Sequence, residues 1–176
     1  IFLIKHLADE VKFLDNGSEI KMIFYMNAQP FYGKISYIFF YEDIKGFELH
    51  NPSLIAEWIS AIINQHDFNL ICANIIFCSD KYLHKINLQY LQHDTLTDII
   101  TFNNSDTKAD IETDIFISID RVKENAQKMG SSSLNELHRV IIHGFLHLFG
   151  YQDKTEEQKD KMRAKETFYL AQRAFV

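Results

Sequence analysis

The chain has 176 residues, 47% of them hydrophobic and 24% charged. That is enough for one domain with a real core, and it excludes collagen-like, disordered and disulfide-scaffold classes. The formal net charge of −6 argues against a protein that holds nucleic acid by bulk electrostatics, although the charge is uneven. Residues 1–119 carry 8 Lys/Arg against 16 Asp/Glu, and residues 120–176 carry 10 against 8, so the C-terminal third is the less repulsive place for a phosphate.

Six Gly and two Pro predict long elements with few tight turns and no linker between domains. Residues 1–33 show no convincing period, and we expect residues 1–34 to be an extension of uncertain order preceding a single domain over 35–176. The opening IFLIKHLADE lacks a basic leader and a cleavage site, so no signal peptide is expected. The start on Ile1 rather than Met reads as a fragment, a processed form or a misassigned start. SYIFFYE, from Ser36, predicts an aromatic strand, and Asn51-Pro52-Ser53 opens a helix whose Leu54, Trp58, Ala61 and Ile62 share a stripe. ICANIIFC predicts a buried strand that sets Cys72 and Cys78 roughly 20 Å apart, too far to bridge, as small core residues of a reducing compartment.

Ser79 or Asp80 then caps a short helix to about Tyr90. Strands follow at 97–102 and 111–118, with NNSDTKAD as the loop between them. Three helices close the chain: Asp120 to Met129 before Gly130, Ser133 to Phe149 before Gly150, and Thr155 to about Arg173. Strands first and helices later predict an α+β fold, a small mixed sheet packed with helices. No apolar stretch approaches the roughly 20 residues of a membrane span, and the expected location is cytoplasmic.

The helix SLNELHRVIIHGFLHLF is apolar almost all round, which predicts a central, buried position. At about 100° per residue, Glu136, Arg139 and His147 lie within about 40° of His143, while His138 faces the other way. Two imidazoles one turn apart in a buried helix are either satisfied core histidines or a pair spaced to hold one divalent cation. Past the Gly150 turn, Asp153 is either a cap or loop carboxylate, or a third ligand. Two His and one carboxylate would leave an open position, as in a catalytic zinc site. Gly144 stands where the His-Glu-x-x-His peptidases carry their general base, which disfavours a peptidase. It serves either close approach of a backbone or plain packing.

HGFLHLFGYQD, from His143 to Asp153, resembles the signature of the YbeY family of rRNA-maturation endoribonucleases, His-Gly-x-Leu-His-Leu-x-Gly-Tyr-Asp-His. INLQYLQHDTLTDIITF, from Ile86 to Phe102, and DIFISIDRVKENA, from Asp114 to Ala126, are similar to two further family blocks, and Met162 with Glu166 fit its closing helix. The resemblance implies a zinc-hydrolase-like YbeY fold with one Zn²⁺ per chain in a cleft. It further implies a metal-dependent, single-strand-specific endoribonuclease of late ribosome maturation, 16S rRNA 3′-end processing and ribosome quality control. Ribosomal RNA and the small ribosomal subunit are the implied partners, with ribosomal proteins or GTPases beside them, and neither DNA nor membrane.

Position by position, the implied ligands are His143, His147 and Asp153, the last in place of the family's His. That exchange adds negative charge and should weaken Lewis acidity. Leu91 stands where the family has Arg, and Thr113 where it has Gly. The zinc would polarise a phosphodiester oxygen or activate a water for attack on phosphorus. No catalytic side chain is assigned beyond the metal site; Asp98, Glu112, Asp114 and Glu136 are base candidates by chemistry alone, and His93 is a loop residue with or without an RNA role. The mixed charges of Lys159, Lys161, Arg163 and Lys165 with Glu156, Glu157 and Asp160 read as a solvated helix face. A different class of reading is a non-catalytic, zinc-stabilised ribosome assembly factor, which the missing base and Leu91 favour. A zinc hydrolase of peptides or small molecules loses on Gly144.

Overall fold

A computed structural model describes residues 10–14, 19–23 and 37–175. Backbone contacts divide the chain into two units, residues 1–35 and 36–176. In the first, β1 (Glu10–Leu14) and β2 (Glu19–Ile23) pair antiparallel, Glu10 opposite Ile23 and Leu14 opposite Glu19. The rest of the expected extension lies outside the described residues. This antiparallel pair lies in a segment without an overall period. Its signal is Asn16-Gly17, a strong hairpin dipeptide, set between the alternating runs EVKFL and EIKMI.

In the second unit the described residues form an α+β arrangement, as expected. The elements are β3 (Tyr37–Glu42), α1 (Pro52–Gln65), β4 (Asn69–Cys78), α2 (Asp80–Ile86) with a π-helical turn at Asn87–Leu91, β5 (Ile99–Asn103), β6 (Asp110–Ser118), α3 (Ile119–Met129), α4 (Ser133–Leu148) and α5 (Glu156–Leu170). The sheet runs β3-β4-β6-β5; β4 is parallel to both β3 and β6, while β5 runs antiparallel to β6, so the sheet is mixed.

Alternation along the strands splits the apolar residues between two faces. Ile75 and Phe77 of β4 and Ile111, Ile115 and Ile117 of β6 pack with Ile55, Ile59 and Ile62 of α1 and Val140, Ile141 and Phe145 of α4 into the main core. Cys78, Leu83, Ile86 and Ile100 form a smaller cluster, with Tyr82, Phe102 and Phe116 against it. The helix α1 buries Ile55, Trp58, Ile59, Ile62 and Ile63, not the stripe read from the sequence: Leu54 is 40% exposed and Ala61 is exposed. Eight of its 14 residues are apolar, so periodicity leaves the facing side ambiguous and the sheet decides it.

Helix boundaries follow local chemistry. Ser79, Ser118, Ser132 and Thr155 each accept a backbone N–H at the start of their helices. Gly130 and Gly150, both at positive φ, end α3 and α4. Cys78 is a core residue, whereas Cys72 is only half-buried; burial pushes its thiol up to about 11 and that of Cys78 up to about 12. Neither is a nucleophile near neutral pH. No helix among the described residues is long and apolar enough to cross a membrane.

Candidate metal centre

The helix α4 runs through the middle of the core, with Leu137, Val140, Ile141, Ile142, Phe145 and Leu146 buried. Its polar stripe survives intact: Glu136, Arg139, His143 and His147 succeed one another along one side, and each finds a partner. His138 points to the opposite side, where its Nδ1 accepts from Arg173 at 2.7 Å and burial lowers its pKa to about 4.

Gly144 is explained by packing. A Cβ built there would stand 2.7 Å from Ile99 Cδ1 and 3.0 Å from Thr101 Oγ1, both on β5. Of the two uses expected for this glycine, plain packing is the one found, because the atoms nearest that Cβ are side-chain tips of β5 and not backbone.

The turn after α4 assembles the third member. Gly150, at φ +92°, lets Gly150 N–H reach His147 O and Tyr151 N–H reach Leu146 O, both at 3.0 Å. The reversed chain aims Asp153 back at the histidines: its Oδ2 lies 3.7 Å from Nε2 of His143 and of His147, and the two Nε2 atoms are 3.0 Å apart. Asp153 is not the cap of α5. Thr155 fills that position, accepting from Gln158 N–H while the Gln158 side chain returns to the backbone of Thr155.

The outer ring nitrogens settle what the inner ones offer. His147 Nδ1 lies 3.0 Å from the Tyr151 carbonyl, which can only accept, so the proton sits on Nδ1. His143 Nδ1 lies 2.6 Å from Glu166 Oε1. With both protons on Nδ1, the two Nε2 atoms present lone pairs into a space bordered by a carboxylate oxygen. Two facing lone pairs repel unless an electrophile lies between them, so the donor set fits a divalent cation. His143 is 17% exposed, His147 34% and Asp153 43%, so the cluster opens toward solvent on the Asp153 side.

The base candidates fall apart on geometry. Asp114 bonds the Asn74 and Asn104 amides, and it and Glu112 alternate with the core-facing Ile111, Thr113 and Ile115, so both sit on the sheet face away from α4. Asp98 and Glu136 lie on the metal-site side but both pair with Arg139, Glu136 through two bonds of 2.7 and 2.9 Å. His93 and Leu91 are exposed. On α5, Lys159, Lys161 and Arg163 pair with Glu156, Glu157 and Asp160, the solvated face expected; Lys165 instead lies over the rings of Tyr151, Phe168 and Tyr169. In sequence Glu166 is marked only by its fit, with Met162, to the family's closing helix; nothing there joins it to His143, and its burial at 5% exposure sets it apart from the other acids of α5.

Over residues 42–174 the chain matches the family described as Endoribonuclease YbeY. It is 49% identical over 138 residues to an Endoribonuclease YbeY of Cytophaga hutchinsonii, covering 78% of this chain and 96% of the relative. An Endoribonuclease YbeY of Amoebophilus asiaticus is 48% identical over 137 residues, covering 78% and 92%. Among solved structures, the solution structure of a Thermotoga maritima protein is similar at 25% identity and a TM-score of 0.53, covering 76% of this chain and 86% of that one.

Proposed function

The chain belongs to the YbeY family of endoribonucleases, and on that premise we propose that it is a zinc-dependent hydrolase that cuts single-stranded ribosomal RNA during late maturation of the small subunit, at the 3′ end of 16S rRNA, with a part in ribosome quality control. Such work belongs in the cytoplasm, with the small ribosomal subunit and its proteins or GTPases as partners. The observation that supports the reading most is the convergence of His143 Nε2, His147 Nε2 and Asp153 Oδ2 on one solvent-facing point.

In this reading His143, His147 and Asp153 hold a divalent ion. When bound, such an ion would supply Lewis acidity toward a phosphodiester oxygen or a water. The chain's own residues do the rest. Tyr151 O accepts from His147 Nδ1–H and so leaves Nε2 of that ring to the ion. Asp153 adds a negative charge, which tempers the pull on the substrate relative to a site with three neutral histidines.

A second reading, a zinc-stabilised assembly factor without nuclease activity, draws support from one observation: Arg139 engages Asp98 and Glu136, the two base candidates on this side of the sheet, so each is already paired. Purified protein incubated with precursor small-subunit rRNA, with and without chelator and beside His147→Ala, separates the two. The nuclease reading expects metal-dependent cleavage lost in the variant. Metal-loaded protein that never cleaves supports the assembly factor, and cleavage that survives chelator and variant overturns the metal mechanism.

A further inference from the structure

Arg139 bridges three carboxylates from three parts of the fold. Its Nε and Nη2 engage Glu136 at 2.9 and 2.7 Å, its Nη1 lies 3.2 Å from Glu166 Oε1, and its Nη2 lies 3.4 Å from Asp98 Oδ2. The side chains of Glu136 and Glu166 are 2% and 6% exposed, that of Asp98 24%. Glu136, one turn earlier on α4, takes bonds from Nε and Nη2, which leaves the Nη1 donors for Glu166. Glu166, brought from α5, is held by that Nη1 at 3.2 Å. Its shorter bond, 2.6 Å, goes to His143 Nδ1.

We propose that Glu166 is a positioning residue: with Arg139 fixing its orientation, it holds His143 with the proton on Nδ1 and Nε2 bare, and so sets the affinity of the site for a divalent ion. The inference rests on the metal reading of the site given above and goes beyond it, because it assigns that affinity to a pair of residues outside the ligand set His143, His147 and Asp153. The arrangement runs in one line. Asp98 and Glu136 grip the far side of the guanidinium, Arg139 Nη1 steadies Glu166 Oε1, and the same oxygen accepts from His143. Helix α5, which supplies Glu166, is thereby tied to the ligand helix α4 at the point where the ligand must not rotate. A histidine ligand whose outer nitrogen is held by a carboxylate is both better oriented and more basic toward the ion.

Two variants and two readouts test it. Glu166→Gln keeps an acceptor for His143 Nδ1–H and removes the charge; Glu166→Met removes both. In competition with a chromophoric chelator for Zn²⁺, dissociation constants are expected to rise about tenfold for Glu166→Gln and about a hundredfold for Glu166→Met. In metal-free protein, the ring ¹⁵N shifts of His143 are expected to report the Nδ1–H tautomer in wild type and Glu166→Gln, and a mixture of tautomers in Glu166→Met. A folded Glu166→Met that binds Zn²⁺ within threefold of wild type, or keeps the pure tautomer, overturns the proposal. Should Glu166→Met fail to fold, Glu166→Gln decides alone: unchanged affinity overturns the proposal and weakened affinity upholds it. A wild-type chain that takes up no divalent ion overturns the metal reading, and the tautomer measurement on the metal-free chain still decides whether Glu166 positions His143.

Discussion

His143 and His147 turn their Nε2 atoms to within 3.0 Å of each other while each Nδ1 is held from behind, by Glu166 Oε1 in one case and Tyr151 O in the other. The rings stand nearly perpendicular, 88° between planes, with centroids 4.5 Å apart. Both outer bonds direct lone pairs inward, and the turn at Gly150 delivers the Asp153 carboxylate to the same point.

The part played by Asp153 is separable from that of its neighbour Thr155. Asp153→Ala is expected to weaken Zn²⁺ binding at least about tenfold while leaving the metal-free melting temperature nearly unchanged, and Asp153→His to bind at least as well as wild type. Thr155→Ala, which removes the capping box of α5, is expected to cost about 1 kcal/mol with the metal site intact. Calorimetric melting with and without metal checks both; loss of metal-free stability in Asp153→Ala would show the carboxylate to be a structural cap instead.

Gly144 is a packing glycine. Adding a Cβ brings an atom to 2.7 Å from Ile99 Cδ1, and overpacking of this kind costs about 1–3 kcal/mol. Ile99→Val deletes that Cδ1 atom. Gly144→Ala is therefore expected to be less destabilising in the Ile99→Val background than in wild type, with a coupling of about 1 kcal/mol in a double-mutant cycle. Gly144→Glu, carrying the peptidase residue, is expected to cost about 3 kcal/mol or more and to gain no peptidase activity. Additive behaviour of the first pair would place the glycine's role elsewhere.

The helix α4 was legible because its apolar residues leave one narrow polar side, and that side puts His143 and His147 together whatever packs around it. Gly150 and Asp153 were legible as a turn and a carboxylate at the right separation. Three features were not. Asn16-Gly17 was passed over amid scattered breakers, although β1 and β2 flank it. The π-helical turn at Asn87–Leu91 depends on how α2 meets the loop that follows, since Asn87 side-chain amide binds Thr95 O at 2.7 Å and His93 N–H reaches Asn87 O. The bond from Glu166 to His143 joins residues 23 apart, and no local pattern in a helix with acids at 156, 157, 160 and 166 singles out the last.

His138 makes stability depend on pH in a definite direction. Burial, with Arg173 close by, lowers its pKa to about 4 from an ordinary 6.5, so between these values the unfolded chain binds a proton that the native one refuses. Stability is full above about pH 6.5 and is lost as pH falls toward about 4, by on the order of 3 kcal/mol at most from this group. Denaturant unfolding of the metal-free chain at a series of pH values is expected to show this slope, and His138→Leu to flatten it. A variant with the wild-type slope would assign the pH dependence to other groups.

Elemental analysis of the purified chain, wild type beside His147→Ala, tests the metal centre most directly. One divalent ion per chain in wild type and its loss from a folded His147→Ala protein is the predicted result. A wild type with no stoichiometric metal, or a variant that retains it in full, would contradict the assignment of His143, His147 and Asp153 as its ligands.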